Sequence, residues 1–171
     1  VTANPTGAAE WMVMVILAGV AIRLLWLGVG VARLQGIIPP ACADRSLGPL
    51  LSDLTSTLQT WATIAITDDV ASPATVGVRR PMILLPRRVL GMTPAVQRAV
   101  IAHELVHVRR RDWLHTIAEE ICCALVWFHP AARLIASRLS LARETLVDQT
   151  TILLTRDRRA YAEALLAFAN P

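Results

Sequence analysis

One apolar stretch near the start of the chain restricts the possible folds more than any other feature. From Trp11 to Val31 every residue is apolar except Arg23. As a helix, this stretch is about 30 Å long, which is enough to cross the hydrocarbon core of a bilayer. We therefore predict a transmembrane helix, in which Arg23 costs about 3 kcal/mol to insert and faces other helices or snorkels to the surface. A buried helix of a soluble protein is the alternative, but a hydrophobic fraction of 54% is high for an ordinary soluble domain.

Arginine residues indicate the orientation of this helix and its surroundings. All 17 basic residues are arginine, and Arg33 and Arg45 follow the apolar stretch, whereas Glu10 precedes it. By the positive-inside rule the C-terminal side is cytoplasmic, and we expect a bacterial inner membrane. A net charge of +4 would suit nucleic acid or anionic lipid, but no nucleic-acid motif accompanies the arginines. The lipid bilayer is therefore an expected partner, and direct nucleic-acid binding is not expected.

Composition shifts divide the chain into three parts. Residues 1–35 form an N-terminal segment and the transmembrane helix, and residues 1–10 contain Asn4-Pro5 and Gly7, which argue against regular structure there. Residues 36–60 form a linker and a short amphipathic helix. The leucines of this helix are spaced to lie on one face, at Leu50, Leu51, Leu54 and Leu58. Residues 61–171 form the main folded domain.

Alternating and periodic patterns predict the elements of the main domain. Short extended runs at 63–67, 74–78 and 82–85 predict a small three-stranded sheet, with a turn at Asp68-Asp69 and a second hairpin closed at 79–81. Helices follow, the first one capped by Thr93 and Pro94. Further helical stretches run from Asp112 to about Phe128, from Pro130 onward, and from Thr155 with Asp157 to about Ala169. The predicted fold class is α+β and predominantly helical.

Two of these helical stretches carry apolar surface without enough length to span a membrane. The run from Ile121 to Phe128 is strongly apolar, but Glu119-Glu120 interrupts it. We interpret the stretch as a core helix or a membrane-skimming helix, not a second transmembrane helix. The helix after Pro130 has an apolar side of its own, made by Leu134, Ile135, Leu139, Ala142 and Leu146.

A metal-binding pattern lies inside the first helix of the domain. His103-Glu104-Leu105-Val106-His107 is set in an apolar run from Ala99 to Val108. Histidines at this spacing lie on one helical face and can share a metal ion, while Glu104 projects toward the open side, where it can take a proton from water. The pattern can arise by chance, but three polar groups are costly to bury in an apolar helix without a purpose. The motif therefore predicts metallopeptidase chemistry.

A catalytic zinc needs a third protein ligand, which the motif does not supply. His115 lies about 12 Å beyond His107 on a continued helix, too far to share the ion, and no CxxC pair offers cysteine ligands. A metzincin pattern fails because Arg110 and Trp113 occupy its glycine and third-histidine positions. The ligand must then come from another helix, where Glu144 is followed one turn later by Asp148. An ordinary solvated helix face is the alternative for this Glu-x-x-x-Asp pair.

Several linked segments resemble one known family. The HExxH helix continues through Arg109-Arg110-Arg111-Asp112, and Trp127-Phe128-His129-Pro130 and Arg143-Glu144 to Asp148 follow it. The strand region from Ser72-Pro73 to Leu84-Leu85-Pro86 also matches. Together these segments, over roughly residues 9 to 170, resemble the BlaR/MecR-type membrane metallopeptidases.

That resemblance implies a fold, a ligand set and roles. It implies a cytoplasm-facing gluzincin domain beside transmembrane helices, which cleaves itself or a transcriptional repressor after an outside signal. By position it implies that His103, His107 and Glu144 bind Zn²⁺ and that Glu104 is the catalyst. Supporting roles fall to Asp148 and Asp112, which we expect to hold ligand residues in place.

Departures from the family pattern are few. His129 stands where the family often has asparagine, and Val147 where it often has cysteine. A penicillin-binding sensor is not found in these residues, so no β-lactam role is carried over. An oxyanion-stabilising group is also needed, and His129, Tyr161 or an arginine could supply it, although His129 directly precedes Pro130 and is more typical of a helix start.

The predicted protein is thus a transmembrane helix followed by a zincin-like domain, acting as a membrane-anchored zinc endopeptidase on a peptide or protein substrate. Two rivals remain. A CAAX-protease or HtpX-like membrane protease shares HExxH and Glu-x-x-x-Asp, but the other segments favour the first family. A non-catalytic membrane signal transducer has no need of Glu104 and would close a structural zinc site with a fourth protein ligand.

Overall fold

The chain folds as one long N-terminal helix followed by a mainly helical domain with a small sheet. The computed structural model describes residues 5–37, 47–77 and 80–169. Arg45, most of the predicted linker and the end of the second predicted strand lie outside these residues. The predicted α+β, predominantly helical class is confirmed. The elements are α1 (Pro5–Ile37), α2 (Gly48–Leu58), β1 (Thr63–Thr67), β2 (Ala74–Val76), β3 (Met82–Pro86), a 3-10 turn (Arg87–Gly91), α3 (Pro94–Arg110), α4 (Asp112–Leu125), α5 (Pro130–Thr155) and α6 (Arg158–Ala169).

Helix α1 contains the predicted span and is longer than expected. Its segment Ala9–Arg33 is long and apolar enough to cross a membrane, judged by length and composition. Its large apolar side chains are exposed, with Trp11 70% and Leu25 68% accessible. The expectation of irregular structure over residues 5–10 is wrong. Pro5 is the first residue of the helix, a position where its missing N–H costs nothing.

The sheet has three strands in the order β1-β3-β2. Strands β2 and β3 form the predicted antiparallel hairpin, but β1 pairs in parallel with β3. The predicted turns implied a hairpin that joins β1 directly to β2 across Asp68-Asp69. That prediction is therefore wrong. Because Ile83, Leu84 and Leu85 are buried on both faces of β3, this strand takes the centre and β2 is left at an edge.

Helix α3 is the central element of the domain and carries the predicted motif. Thr93 caps it by accepting a hydrogen bond from the backbone N–H of Val96, as expected for a residue before a first-turn proline. Its apolar side chains are buried against α2, α5, α6 and β3. Each fully buried aliphatic side chain contributes about 1.5–3 kcal/mol, so this packing holds the motif rigidly. The buried cluster includes Leu54, Leu58, Ile83, Leu85, Val96, Ile101, Leu105, Val147 and Tyr161.

Helices α4 and α5 form a hairpin that packs only partly on this core. The buried side chains of α5 are Arg143, Val147 and Thr151, whereas its predicted apolar side remains exposed. Likewise Ile121, Leu125 and Phe128 are exposed at the end of α4. Cys123 and Ala124 of the same stretch are buried, so both interpretations of it, a core helix and a membrane-skimming helix, remain predictions.

Candidate metal centre

Three donor atoms from two helices converge at the surface of α3. The Nε2 atoms of His103 and His107 lie 3.2 Å apart. The Oε2 atom of Glu144, on α5, lies 3.8 Å from the first and 3.6 Å from the second. The structure thus brings together the three residues that the sequence suggested as metal ligands, and these atoms could hold a metal ion.

Hydrogen bonds behind the two histidines determine which ring nitrogens are free. Asp112 Oδ2 lies 2.8 Å from Nδ1 of His107, and a carboxylate there requires this nitrogen to carry the proton. The hydroxyl of Tyr161 donates to Asp148 and lies 3.2 Å from Nδ1 of His103, so that nitrogen also donates. Both Nε2 atoms therefore present lone pairs toward each other and toward the Glu144 carboxylate.

The donor set fits a tetrahedral zinc ion. Bonds of about 2.0–2.1 Å in tetrahedral geometry place ligand atoms about 3.3 Å from one another, close to the three separations found here. Three lone pairs facing each other at such distances repel unless a cation lies between them. Burial, helped by the neighbouring His107, lowers the pKa of His103 to about 4, so His103 is neutral at physiological pH, as a metal ligand must be.

Glu104 lies beside this cluster and is almost completely buried. Only 7% of the residue is accessible, and its Oε2 accepts a hydrogen bond of 2.8 Å from the Thr75 hydroxyl. Burial raises the pKa of Glu104, while the bond from Thr75 and the nearby His107 act in the opposite direction. A raised pKa brings a carboxylate closer to the range in which it can both accept and return a proton.

Thr75 was missed by the sequence reasoning. It lies on β2, where its hydroxyl contacts both the carboxylate and the backbone carbonyl of Glu104. No local pattern marks it, because its role depends on the edge strand packing against α3. The role of Arg143 likewise depends on packing between elements and has no local pattern. This residue lies beside Asp112 and donates hydrogen bonds to Glu119 and Thr116.

The two predicted supporting residues differ in how they reach the histidines. Asp112 is 4% accessible and contacts His107 directly. Asp148 lies 3.7 Å from Nδ1 of His103, beyond hydrogen-bond distance, and reaches it through the Tyr161 hydroxyl. Burial and the bond to Asp148 raise the pKa of Tyr161, so its hydroxyl stays protonated.

Other histidines lie outside the cluster. His115 is exposed and faces Asp112, and His129 accepts a hydrogen bond from the backbone of Ala131 at the start of α5. His129 therefore acts as a helix cap, as its position before Pro130 suggested.

Tyr161 is one of the suggested oxyanion-stabilising groups. Its hydroxyl lies behind His103, near Nδ1, away from the side where the Nε2 atoms meet.

An open cleft gives access to the cluster. It has a volume of about 310 Å³ and is lined by β2, both histidines, Glu104 and Glu144. Among the described residues, β2 pairs only with β3, and its residues Ala74 and Thr75 line the cleft. A backbone edge beside a metal site can bind an extended peptide by strand addition.

An HExxH helix that faces a glutamate from a later helix, beside the edge of a small sheet, is the arrangement of zincin-like proteins. The chain belongs to the BlaR1 peptidase M56 family, whose model matches residues 2–170. It is also 29% identical over 104 residues to the regulatory protein BlaR1 of Bacillus licheniformis. That similarity covers 59% of this chain and 17% of the relative, so the chain spans only a small part of the relative's length.

Proposed function

We propose that this chain is the zinc endopeptidase unit of a membrane protein. The observation that carries the proposal is the convergence of three donor atoms, from His103, His107 and Glu144, next to the buried carboxylate of Glu104. Family membership agrees with a peptidase. A structural metal site would need a fourth protein ligand, and among the described residues no fourth His, Cys, Asp or Glu joins the three donors.

In this mechanism each residue of the site has a separate role in peptide hydrolysis. When bound, zinc supplies a Lewis acid that polarises a carbonyl group and acidifies water. Glu104 accepts a proton from the attacking water and returns it to the leaving amine nitrogen. Thr75 holds the Glu104 carboxylate in one orientation through its 2.8 Å hydrogen bond. Asp112 and Tyr161 keep the two histidines in the tautomer that leaves Nε2 free.

The substrate binds, in this proposal, as an extended peptide along β2. Among the described residues one edge of this strand has no pairing strand, and Thr75 in its middle lines the cleft and touches Glu104. A peptide hydrogen-bonded to that edge would pass its backbone over the Glu104 side of the cluster. Specificity then depends on pockets beside the strand, one of which is a cleft of about 500 Å³ between Trp61 and Trp113.

Regulated proteolysis in the cytoplasm is the biological role we propose. The span of α1 is followed by Arg33, and the positive-inside rule then places the domain on the cytoplasmic side. The matched relative is a regulatory protein, which agrees with a role in signal transduction. The substrate would be a cytoplasmic transcriptional repressor or the chain itself.

Two substitutions test the mechanism with separate readouts. Glu104→Gln keeps the three donors, so the purified protein should retain about one zinc while peptide cleavage falls about 10²- to 10⁴-fold. Glu144→Ala removes a donor and should lower both zinc content and cleavage. Zinc is measured by elemental analysis, and cleavage by the protein's own fragmentation and by digestion of a casein substrate.

Three results would change the proposal in different ways. Unimpaired cleavage by Glu104→Gln would exclude it as the base. Full zinc content in Glu144→Ala would exclude that residue as the third ligand. Zinc binding with no cleavage by the unmodified protein on any substrate would favour the non-catalytic transducer.

A further inference from the structure

We propose that α4, the connecting residues 126–129 and the first half of α5 form a re-entrant hairpin that enters the lipid bilayer beside α1. This segment, residues 112–141, is called the α4–α5 hairpin below, and residues 125–130 are its tip. Its partner is the acyl-chain region of the bilayer. The inference rests on the membrane anchor of the proposed function, and the experiment below separates the two.

A direct contact between the tip and α1 shows how far along the candidate span the tip reaches. The indole Nε1 of Trp127 donates a hydrogen bond of 3.2 Å to the backbone carbonyl of Ile16. At Gly19 an added Cβ would lie 2.3 Å from the same indole ring, so only glycine permits this approach. Gly19 lies about 15 Å from Ala9 and about 21 Å from Arg33 along the helix. The tip therefore meets α1 near the middle of the candidate span.

The rest of α4 runs back along α1 toward Arg33. A groove of about 470 Å³ separates the two helices. One wall is formed by α1 between Arg23 and Val31, and the other by α4 between Trp113 and Ala124. Since Trp127 meets Ile16 while α4 borders the later turns of α1, the two helices are antiparallel over about 18 Å. The hairpin thus follows the span from its C-terminal end to mid-depth.

Apolar side chains cover the outer surface of the hairpin. Val126 and Phe128 at the tip are 42% and 55% accessible, and Leu134 and Ile135 on α5 are 59% and 66% accessible. Trp127, between Val126 and Phe128, contacts α1 at Ile16, where the neighbouring Val15 and Leu17 are also exposed. A contiguous apolar surface of this kind is rare on a water-exposed monomer, whereas lipid chains would cover it together with α1.

Several backbone groups near the tip are satisfied within the hairpin, as the hydrocarbon core requires. At the tip and in the first turn of α5, the backbone N–H groups of Val126, His129, Ala131 and Ala132 donate hydrogen bonds within the hairpin. Farther from the tip, Arg133 pairs with Glu120 at 3.3 Å across the hairpin. Both residues line the groove that also contains Arg23 of α1, so these charged groups lie beside one another.

One consequence concerns the metal centre. Glu144 lies about 21 Å along α5 from Pro130, which matches the distance along α1 from Gly19 to Arg33. In a re-entrant hairpin whose α5 runs alongside α1, the cluster of His103, His107 and Glu144 lies level with the Arg33 end of the span. A substrate peptide would reach it next to the lipid headgroups, which favours cleavage of segments held at the membrane surface.

Spin-label accessibility in liposomes tests the proposal. Single cysteines at Phe128, Ile135, Leu25 and Ser52 are introduced into a full-length chain lacking Cys42, Cys122 and Cys123, whose zinc content must equal that of the unmodified protein. Nitroxides in lipid collide more with oxygen than with a water-soluble nickel chelate. We expect Phe128→Cys and Ile135→Cys to match Leu25→Cys on α1, with an oxygen-to-nickel ratio severalfold above that of Ser52→Cys on α2.

Each other outcome overturns a defined statement. Water-like labels at both hairpin positions with a lipid-like label at Leu25 would overturn the re-entrant hairpin and leave the anchor intact. Low accessibility to both reagents at the hairpin positions would mean that protein, such as a second copy, covers the surface. A water-like label at Leu25 would overturn the anchor itself.

A matched pair of glycine substitutions tests the contact between the tip and α1. Gly19→Leu would clash with Trp127, whereas Gly28→Leu on the same helix meets no atom within 4 Å. Gly19→Leu should lower the oxygen-to-nickel ratio at Phe128→Cys severalfold, and Gly28→Leu should leave it unchanged. An equal ratio in both variants would overturn the docking of the tip at Gly19.

Discussion

At the scale of single residues, each histidine of the cluster is oriented by an oxygen behind it. Asp112 holds His107 directly, and the Tyr161 hydroxyl, backed by Asp148, holds His103. A carboxylate behind a histidine fixes its tautomer and raises its basicity as a ligand. The two arrangements are not equivalent, because one places a full negative charge at the ring and the other places a neutral hydroxyl.

Asp112→Asn should therefore weaken zinc binding about 10- to 100-fold, a typical cost of losing the partner behind a ligand histidine. The measurement is a competition titration with a chelating dye. Asp53→Asn is the matched control, because Asp53 is an exposed carboxylate whose ion-pair partner is Arg98, and its affinity should stay within about twofold of the unmodified protein. Equal affinities in both variants would argue against an orienting role for Asp112.

Thr75→Val should lower kcat without lowering zinc content. Valine keeps the shape of threonine but removes the hydroxyl that donates to Glu104, and a hydrogen bond to a charged group contributes about 1.5–3 kcal/mol. A loss of about 1.4 kcal/mol corresponds to a tenfold slower reaction. Steady-state kinetics on a peptide substrate give kcat and KM separately.

Thr63→Val, on the opposite edge strand β1, is the control for this change, since the Thr63 hydroxyl donates, among the described residues, only to the Pro81 carbonyl at 3.5 Å. Its kcat should be unchanged. A tenfold loss in both variants would point to a general effect on the sheet.

Residue spacing predicted the cluster only in part. The HExxH pair is set by helical periodicity alone, so His103, Glu104 and His107 could be placed from the sequence. Glu144 required a tertiary assumption, namely that α5 returns to α3. Thr75 and Arg143 could not be found in this way, because their contacts depend on packing between elements far apart in the chain.

At the scale of elements, starts and ends were predicted better than pairing. Pro94 and Pro130 begin α3 and α5 as expected, because proline suits the first turn of a helix. Strand pairing was harder, since β1 and β2 both flank β3 and short alternating runs carry no information on which neighbour they choose. The greater apolar content of β3, buried on both faces, explains its central position.

Asp157 caps α6 and thereby positions Tyr161 one turn later. Its Oδ1 accepts a 2.9 Å hydrogen bond from the backbone N–H of Ala160. Asp157→Ala should lower the free energy of unfolding by about 0.5–2 kcal/mol, measured by denaturant titration in detergent micelles. Arg158→Ala, the neighbouring exposed residue, should change it by less than about 0.5 kcal/mol. A larger loss in the arginine variant would contradict the cap.

At the scale of the whole molecule, one helix connects the candidate membrane span to the candidate metal centre. Helix α5 begins at the tip of the hairpin, against α1, and carries Glu144 and Asp148 farther along. A shift of α1 would therefore be passed through Trp127 and α5 to a proposed metal ligand. The sequence indicated both ends of this connection, but the contact between Gly19 and Trp127 depends on long-range packing.

The orientation of α1 decides whether the metal centre meets cytoplasmic substrates, and it can be tested at both ends of the helix. Ala9→Cys, at the first residue of the candidate span, and Ser52→Cys, after it, are each made in the chain without native cysteines and lie at exposed positions. Because Arg33 follows the span, the positive-inside rule places residue 52 in the cytoplasm. A membrane-impermeant maleimide added to intact cells should label Ala9→Cys at once and Ser52→Cys only after the membrane is opened. The reverse pattern would put the domain outside the cell and exclude a cytoplasmic repressor as its substrate, while labelling of both from outside would mean that α1 does not cross the membrane.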